Sequence, residues 1–108
     1  MAKLEWYGLQ TVYIHRNHQH GHDNLYEERI VLVRAASFDE AIVKAESEAN
    51  DYSTDGTEYL GYAMAFHMYD RPADLTEVFS LCRDSRMKPK AYIDRFFDTG
   101  RERSKDLS

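Results

Sequence analysis

Four of the chain's five histidines fall in HRNHQHGHDN, residues 15–24, so metal ligation is the first chemistry to weigh. The spacing is H-x-x-H-x-H-x-H, from His15 through His18 and His20 to His22. In an extended chain, residues two apart point the same way about 7 Å apart, and two such imidazoles can share an ion. A three-residue hairpin loop of Gln19, His20 and Gly21, with Gly21 left-handed, would set His18 opposite His22 across the ladder. Their Cβ atoms would then lie about 5 Å apart, close enough for both rings to reach one Zn²⁺ or Ni²⁺, with Asp23 adding an oxygen. Composition argues for something plainer. Asn17, Gln19, Gly21, Asp23 and Asn24 are turn formers, and no Cys or Glu falls at a familiar zinc spacing. The reading is a polar hairpin loop with no metal and no cofactor expected, His18 and His22 being the candidate ligands for weak, nonspecific binding.

Other reactive pairings are thinner still. Cys82 and His67 fall on segments read as neighbouring strands, yet no helix N-terminus or cationic cluster is placed to activate the thiol. A lone cysteine fits a reducing compartment, and its expected place is that of a small buried apolar residue. Glu27 and Glu28 are adjacent on a strand and point to opposite faces, so they cannot act jointly. Asp94 and Asp98 lie one helical turn apart around Arg95 and read as a solvated helix face. No dinucleotide, phosphate-loop or nucleophile-elbow motif is present in the sequence, and no catalytic residue is assigned.

The elements that must position these residues follow from periodicity. LEWYGLQTVYIHR is rich in aromatic and β-branched residues and reads as a strand, and LYEERIVLVRA, after a short connection, as its antiparallel partner. SFDEAIVKAESEANDY changes period: Ala41, Ile42, Ala45, Ala49 and Tyr52 recur at helical spacing behind a Ser37–Glu40 capping box. TEYLGYAMAFHMYD predicts a long strand with Leu60, Tyr62, Met64, Phe66 and Met68 on one face and His67 on the other. LTEVFSLCRDS predicts a fourth strand. PKAYIDRFFDTG predicts a closing helix, with Pro89 at its start, an apolar stripe of Tyr92, Ile93, Phe96 and Phe97, and Gly100 as cap. The expected fold is α+β, ββαββα, a four-stranded antiparallel sheet with two helices packed on one face. A single globular domain over residues 1–100 and a frayed tail over 101–108 are expected.

With 108 residues, of which 43% are hydrophobic, the chain can build one real core. Nineteen acidic against fourteen basic residues give a net charge of −5. That sign disfavours nucleic acid, whose binding rests on phosphate neutralisation, and suits encounter with a basic protein. The apolar runs are too short to span a bilayer, and MAKLEWYGLQ lacks a secretory pattern, so no membrane partner and a cytoplasmic location are expected.

WYGLQT, YEERIVLVRAASFDEAIVKAE, EYLGY and EVFSLCRDS followed by YIDRFFDTGRER together resemble the small bacterial family known as domain of unknown function 4288. The resemblance spans nearly the whole chain and implies a stand-alone bacterial domain. It implies no activity, cofactor or site residue, and the histidine stretch lies outside its blocks.

Function is read from the strands. Tyr7, Leu9 and Tyr13 alternate with Trp6, Val12 and Ile14, so the first strand is apolar on both faces, and such a strand should be buried on both. Beyond what the helices cover, either a partner protein or a second copy buries the rest, or the tyrosines meet water through their hydroxyls. The expected function is a non-catalytic protein-binding module, for instance an immunity-type inhibitor or toxin-neutralising partner. A structural or regulatory homodimer is the alternative, ahead of a small metal-dependent enzyme. Tyr7, Tyr13, Glu28, Arg29 and Arg83 are the candidate partner-binding residues. Reversal of Arg29 to Glu is expected to weaken partner capture while leaving the thermal midpoint almost unchanged.

Overall fold

The structure is a computed structural model and describes residues 3–16 and 24–97. Its elements are β1 (Glu5–His15), β2 (Leu25–Ala35), α1 (Phe38–Tyr52), β3 (Thr57–Met68) and α2 (Pro89–Phe96). The two segments richest in alternating aromatic and β-branched residues pair as the expected antiparallel hairpin, from Glu5 opposite Ala35 to His15 opposite Leu25. β3 returns antiparallel on the other side of β1, giving the order β2-β1-β3. Between Thr11 and Tyr13 the β1–β3 register shifts, so Leu60, Gly61 and Tyr62 stand opposite Val12 alone. Gly61 takes φ +80° there, a conformation that favours a residue without Cβ.

α1 starts as its sequence dictates. Ser37 is extended and its hydroxyl accepts from the Glu40 amide at 3.1 Å, while Asp39 and Glu40 put negative charge on the first turn. The helix packs on all three strands through Ala41, Ala45 and Ala49, all fully buried. Three alanines in line let the helix close tightly on Tyr7, Leu9, Val33 and Ala35, with Val31, Ile42 and Ala65 at the margin. This inner layer is the core of the described chain.

The expected fourth strand and the two-helix layer are corrected here. The sheet has three strands, and residues 72–88, including the stretch that alternates like a strand, belong to neither a helix nor a strand. That stretch crosses the face of the sheet opposite α1 instead of joining an edge. A Cβ built on Gly8 would lie 1.7 Å from the Val78 carbonyl oxygen, so the segment's backbone rests directly on the centre of β1. α2 follows it on that same side: Tyr92, Phe96 and Phe97 line a cavity with Gln10 and Glu28, which face away from α1. α2 has no buried residue, so its apolar stripe does not join the core. Alternation fixes where side chains point in a ladder, but it says nothing of whether an edge is available to receive the strand. The expected Gly100 cap and the tail after residue 100 lie outside the described residues, and no helix among those described is long and apolar enough to cross a membrane.

Candidate interaction surface

The register divides every strand between two faces. The inner face, under α1, takes Tyr7, Leu9, Thr11 and Tyr13 with their partners. The outer face takes Trp6, Gly8, Gln10 and Val12 from β1, Tyr26, Glu28, Ile30, Leu32 and Arg34 from β2, and Leu60, Tyr62, Met64, Phe66 and Met68 from β3. The crossing segment lies over the middle of this face, with Val78 over Gly8 and Phe79 beside Phe66 at 6.2 Å between ring centroids, and α2 stands with it beside Gln10 and Glu28. Two apolar strips remain in water on either side. Tyr26, Ile30 and Leu32 are 58%, 46% and 44% exposed on β2, and Leu60 and Tyr62 are 44% and 54% exposed on β3. Single exposed apolar residues are ordinary, whereas strips running along strands are the mark of an interaction surface.

The crossing segment is itself loosely held. Among the described residues, 77–83 make no backbone hydrogen bond, and Val78 and Leu81 stay partly exposed. Its approach turns through Ala73, whose amide donates to the Thr76 hydroxyl at 2.9 Å, and Leu75, at φ +65° and 96% exposed. A leucine held left-handed and in water contributes nothing to the fold of the isolated chain.

Polar groups gather at two ends of the inner layer. At one, Arg29 donates to both carboxylate oxygens of Glu48 at 3.1 and 2.8 Å and to the Tyr13 hydroxyl at 3.1 Å, with its guanidinium 3.6 Å from the Tyr52 ring centroid. Tyr52 donates to Glu27, which also meets His15 Nε2 at 2.8 Å, while His15 Nδ1 meets the Thr57 hydroxyl at 2.8 Å. Tyr59 donates to Glu46 at 2.7 Å. The hydrogen bond to Glu48 raises the Arg29 pKa further above its ordinary value, so this cation stays charged. Burial, then the Glu46 bond, pushes the Tyr59 hydroxyl up, and the Glu27 bond does the same for Tyr52. A hydroxyl–imidazole–carboxylate line such as Thr57–His15–Glu27 can move a proton in principle. Here it bridges all three strands, and no buried side-chain polar atom of the described residues lacks a partner. At the other end, Glu5 bonds His67, whose ring packs among Tyr7, Phe38 and Tyr69. A cavity of about 240 Å³ beside it is lined by Trp6, Arg34, Met68 and Arg71, among others.

A family model described as Domain of unknown function (DUF4288) matches residues 6–80. The chain belongs to that family. The match takes in the sheet, α1, Gly8 and the Val78 that rests on it, and it stops short of Cys82, Arg83 and α2, which the sequence resemblance had included. Comparison with curated proteins and with solved structures returns no match.

The residues singled out from sequence divide sharply. Tyr7 and Tyr13 are buried under α1, at 4% and 0% exposure, where no partner can touch them. Arg29 is tied into the inner network rather than standing at a rim. Glu28 and Arg83 do come together on the outer face, around a cavity of about 310 Å³ with Phe79, Leu81 and Phe96. Glu28 accepts from Gln10 at 3.0 Å, and Arg83 donates to the Tyr92 hydroxyl at 3.3 Å, which with Glu28's charge raises its pKa. His18 and His22 lie outside the described residues, among which no group of three metal-ligating side chains is found. Cys82 is exposed on the crossing segment rather than buried, and His67 sits on the inner face, so the two do not meet. Asp94 pairs with Lys90 at 2.8 Å. Sequence reasoning missed Ile30, Leu32, Leu60 and Tyr62 as surface residues. Their signal was the series Leu60 to Met68, one apolar face of a strand with no helix left to cover it.

Proposed function

We propose that the protein is a non-catalytic module that binds another protein through the outer face of its sheet. The observation that carries this reading is the pair of exposed apolar strips, Tyr26, Ile30 and Leu32 on one side of the crossing segment and Leu60 and Tyr62 on the other. Tyrosines beside aliphatic groups, ringed by Glu28, Glu58, Arg34 and Arg83, have the make-up of binding anchors with a charged rim. The net charge of −5 favours a partner with basic groups around a complementary apolar patch. An immunity-type inhibitor or a toxin-neutralising partner fits such a surface, since blocking another protein needs area and charge rather than chemistry.

Capture from the native cell with the wild-type chain as bait, followed by mass spectrometry, should recover one protein in stoichiometric amount. Leu60→Asp and Tyr62→Asp should lose it while keeping the thermal midpoint, because both side chains already stand in water. Equal recovery by these variants, or no partner for the wild type, would overturn the reading.

A further inference from the structure

We propose that two copies of the chain pair through the outer edge of β2, antiparallel about a twofold axis at Val31. The strand order leaves β2 and β3 as edges, and they differ. β3 is interrupted by the register shift and by Gly61 at φ +80°, which twists that edge away from a flat template. β2 runs eleven residues, LYEERIVLVRA, paired with β1 without a shift and without Gly, Pro or Lys. No bulge breaks it; its inward-pointing charges, Glu27 and Arg29, are bonded within their own chain, and α1 reaches the edge only through Lys44 at the Arg34 carbonyl.

The phase of the free groups follows from Lys44. Its Nζ donates to the Arg34 carbonyl at 2.6 Å, which places that carbonyl on the side away from β1. Because backbone groups alternate along a strand, the amides and carbonyls of Glu28, Ile30 and Leu32 face the same outer edge. No side chain or loop of the described residues caps them.

Side chains then select the register. With Val31 on the axis, Glu28 stands opposite the partner's Arg34, and Ile30 opposite the partner's Leu32, all on the outer face. Arg34 has no carboxylate partner among the described residues, and its guanidinium lies 6.0 Å from the Trp6 ring centroid. Glu28 hydrogen-bonds the Gln10 amide and makes no salt bridge among those residues, Arg83 standing nearby, so each carboxylate and guanidinium keeps capacity for the other. With Ile30 on the axis, Glu28 would face the partner's Leu32, and with Arg29 on the axis two guanidiniums would meet. With Leu32 on the axis, Ile30 would face the partner's Arg34. Of these registers, only that on Val31 matches charge with charge and apolar with apolar along the outer face, while on the inner face Arg29 and Glu27 stay bonded within their own chain. An isologous pair of this kind uses up the same edge on both copies, so assembly stops at a dimer. It also brings the two β2 strips together at the seam, doubling one apolar patch of the outer face. The pairing uses the strand edge, and so stands or falls separately from partner capture by Leu60 and Tyr62.

Light scattering on the full chain, from low to high micromolar concentration, should approach twice the 12.7 kDa chain mass. Arg34→Glu sets like charges opposite each other at two symmetric places and should weaken dimerisation about tenfold or more. The double variant Glu28→Arg with Arg34→Glu should restore it, because the reversed pair is again complementary. Leu60→Asp should leave the mass unchanged. Hydrogen exchange on the wild type gives a second readout that needs no variant: the amides of Glu28, Ile30 and Leu32 should slow as concentration rises. A strict monomer throughout, a dimer indifferent to Arg34→Glu, a double variant that stays monomeric, or edge amides whose exchange ignores concentration would each overturn the proposal.

Discussion

Replacing Arg29 by Met tests whether this cation is a rim charge or a structural tie. The structure gives the loss. The pair with Glu48 has side chains 22% and 43% exposed, so water screens it, and it is discounted to the ~0.5–1 kcal/mol of half-exposed pairs. The guanidinium stacked 3.6 Å from the Tyr52 centroid adds about 0.5–1 kcal/mol. The hydrogen bond to the Tyr13 hydroxyl adds a further ~0.5–1 kcal/mol, reduced because Thr11 at 2.7 Å still satisfies that oxygen. Methionine keeps the aliphatic cover over the tyrosines, so no large cavity term is added. A net loss of about 2 kcal/mol should lower the thermal midpoint of a domain this size by roughly 10 °C. Glutamate at 29 should cost more, because it would face Glu27 and Glu48, and this reverses the expectation that Arg29→Glu leaves folding untouched. Thermal denaturation by far-UV circular dichroism is the assay. A shift under about 2 °C for Arg29→Met would refute the ledger and return Arg29 to the surface.

Gly8→Val should lift the crossing segment, since a Cβ 1.7 Å from the Val78 oxygen cannot be accommodated without moving backbone; limited proteolysis within residues 72–88 should quicken while α1 stays protected, and unchanged cleavage would refute the contact. Burial raises the Tyr59 hydroxyl, and the hydrogen bond to Glu27 raises that of Tyr52, above the ordinary tyrosine value of about 10, so the folded state favours their neutral forms. That contribution is complete below about pH 10 and is lost as pH rises beyond it, so alkaline absorbance should show a late-ionising tyrosine fraction that shrinks in Tyr59→Phe, and Tyr59→Phe should flatten the stability loss. Cys82 is exposed, so a thiol reagent should label the native chain within a few-fold of the unfolded rate, and strong protection would contradict its placement.

What could be read in the residues was local. The Ser37 cap, the small stripe Ala41, Ala45 and Ala49, the first hairpin and the one-sided series Leu60 to Met68 are each set by neighbours in sequence, and all stand in the structure. The two-sided apolar character of the first strand was also legible, but not which side α1 would take, because that depends on β2 and β3 contributing Val33 and Ala65 to the same face as Leu9. Tyr7 and Tyr13 therefore passed for surface residues. The path of residues 72–88 was illegible for a different reason. EVFSLC alternates like any strand, and only the approach of a carbonyl to Gly8, a position without side chain seventy residues earlier in the chain, decides that it crosses the sheet instead of extending it.

The distribution of polarity between the two layers makes the outer face the more telling one. The inner layer holds Arg29, Glu27, Glu46, Glu48 and His15, each bonded to a neighbour from another element, although a purely apolar interface of similar volume would serve stability as well or better. The outer layer, open to water, holds Tyr26, Ile30, Leu32, Leu60 and Tyr62 instead. For a chain acting alone these exposed strips are unfavourable, since each forgoes about 25 cal/mol for every Å² it could have buried. The segment that ought to cover it is anchored by backbone contact at one glycine and leaves its own Val78 and Leu81 partly in water. An apolar face with so slight a cover gains stability only when something else lies against it. The inner network fixes α1, β2 and β3 rigidly behind that face, so a partner would meet strips already in place and would lose little affinity to ordering them.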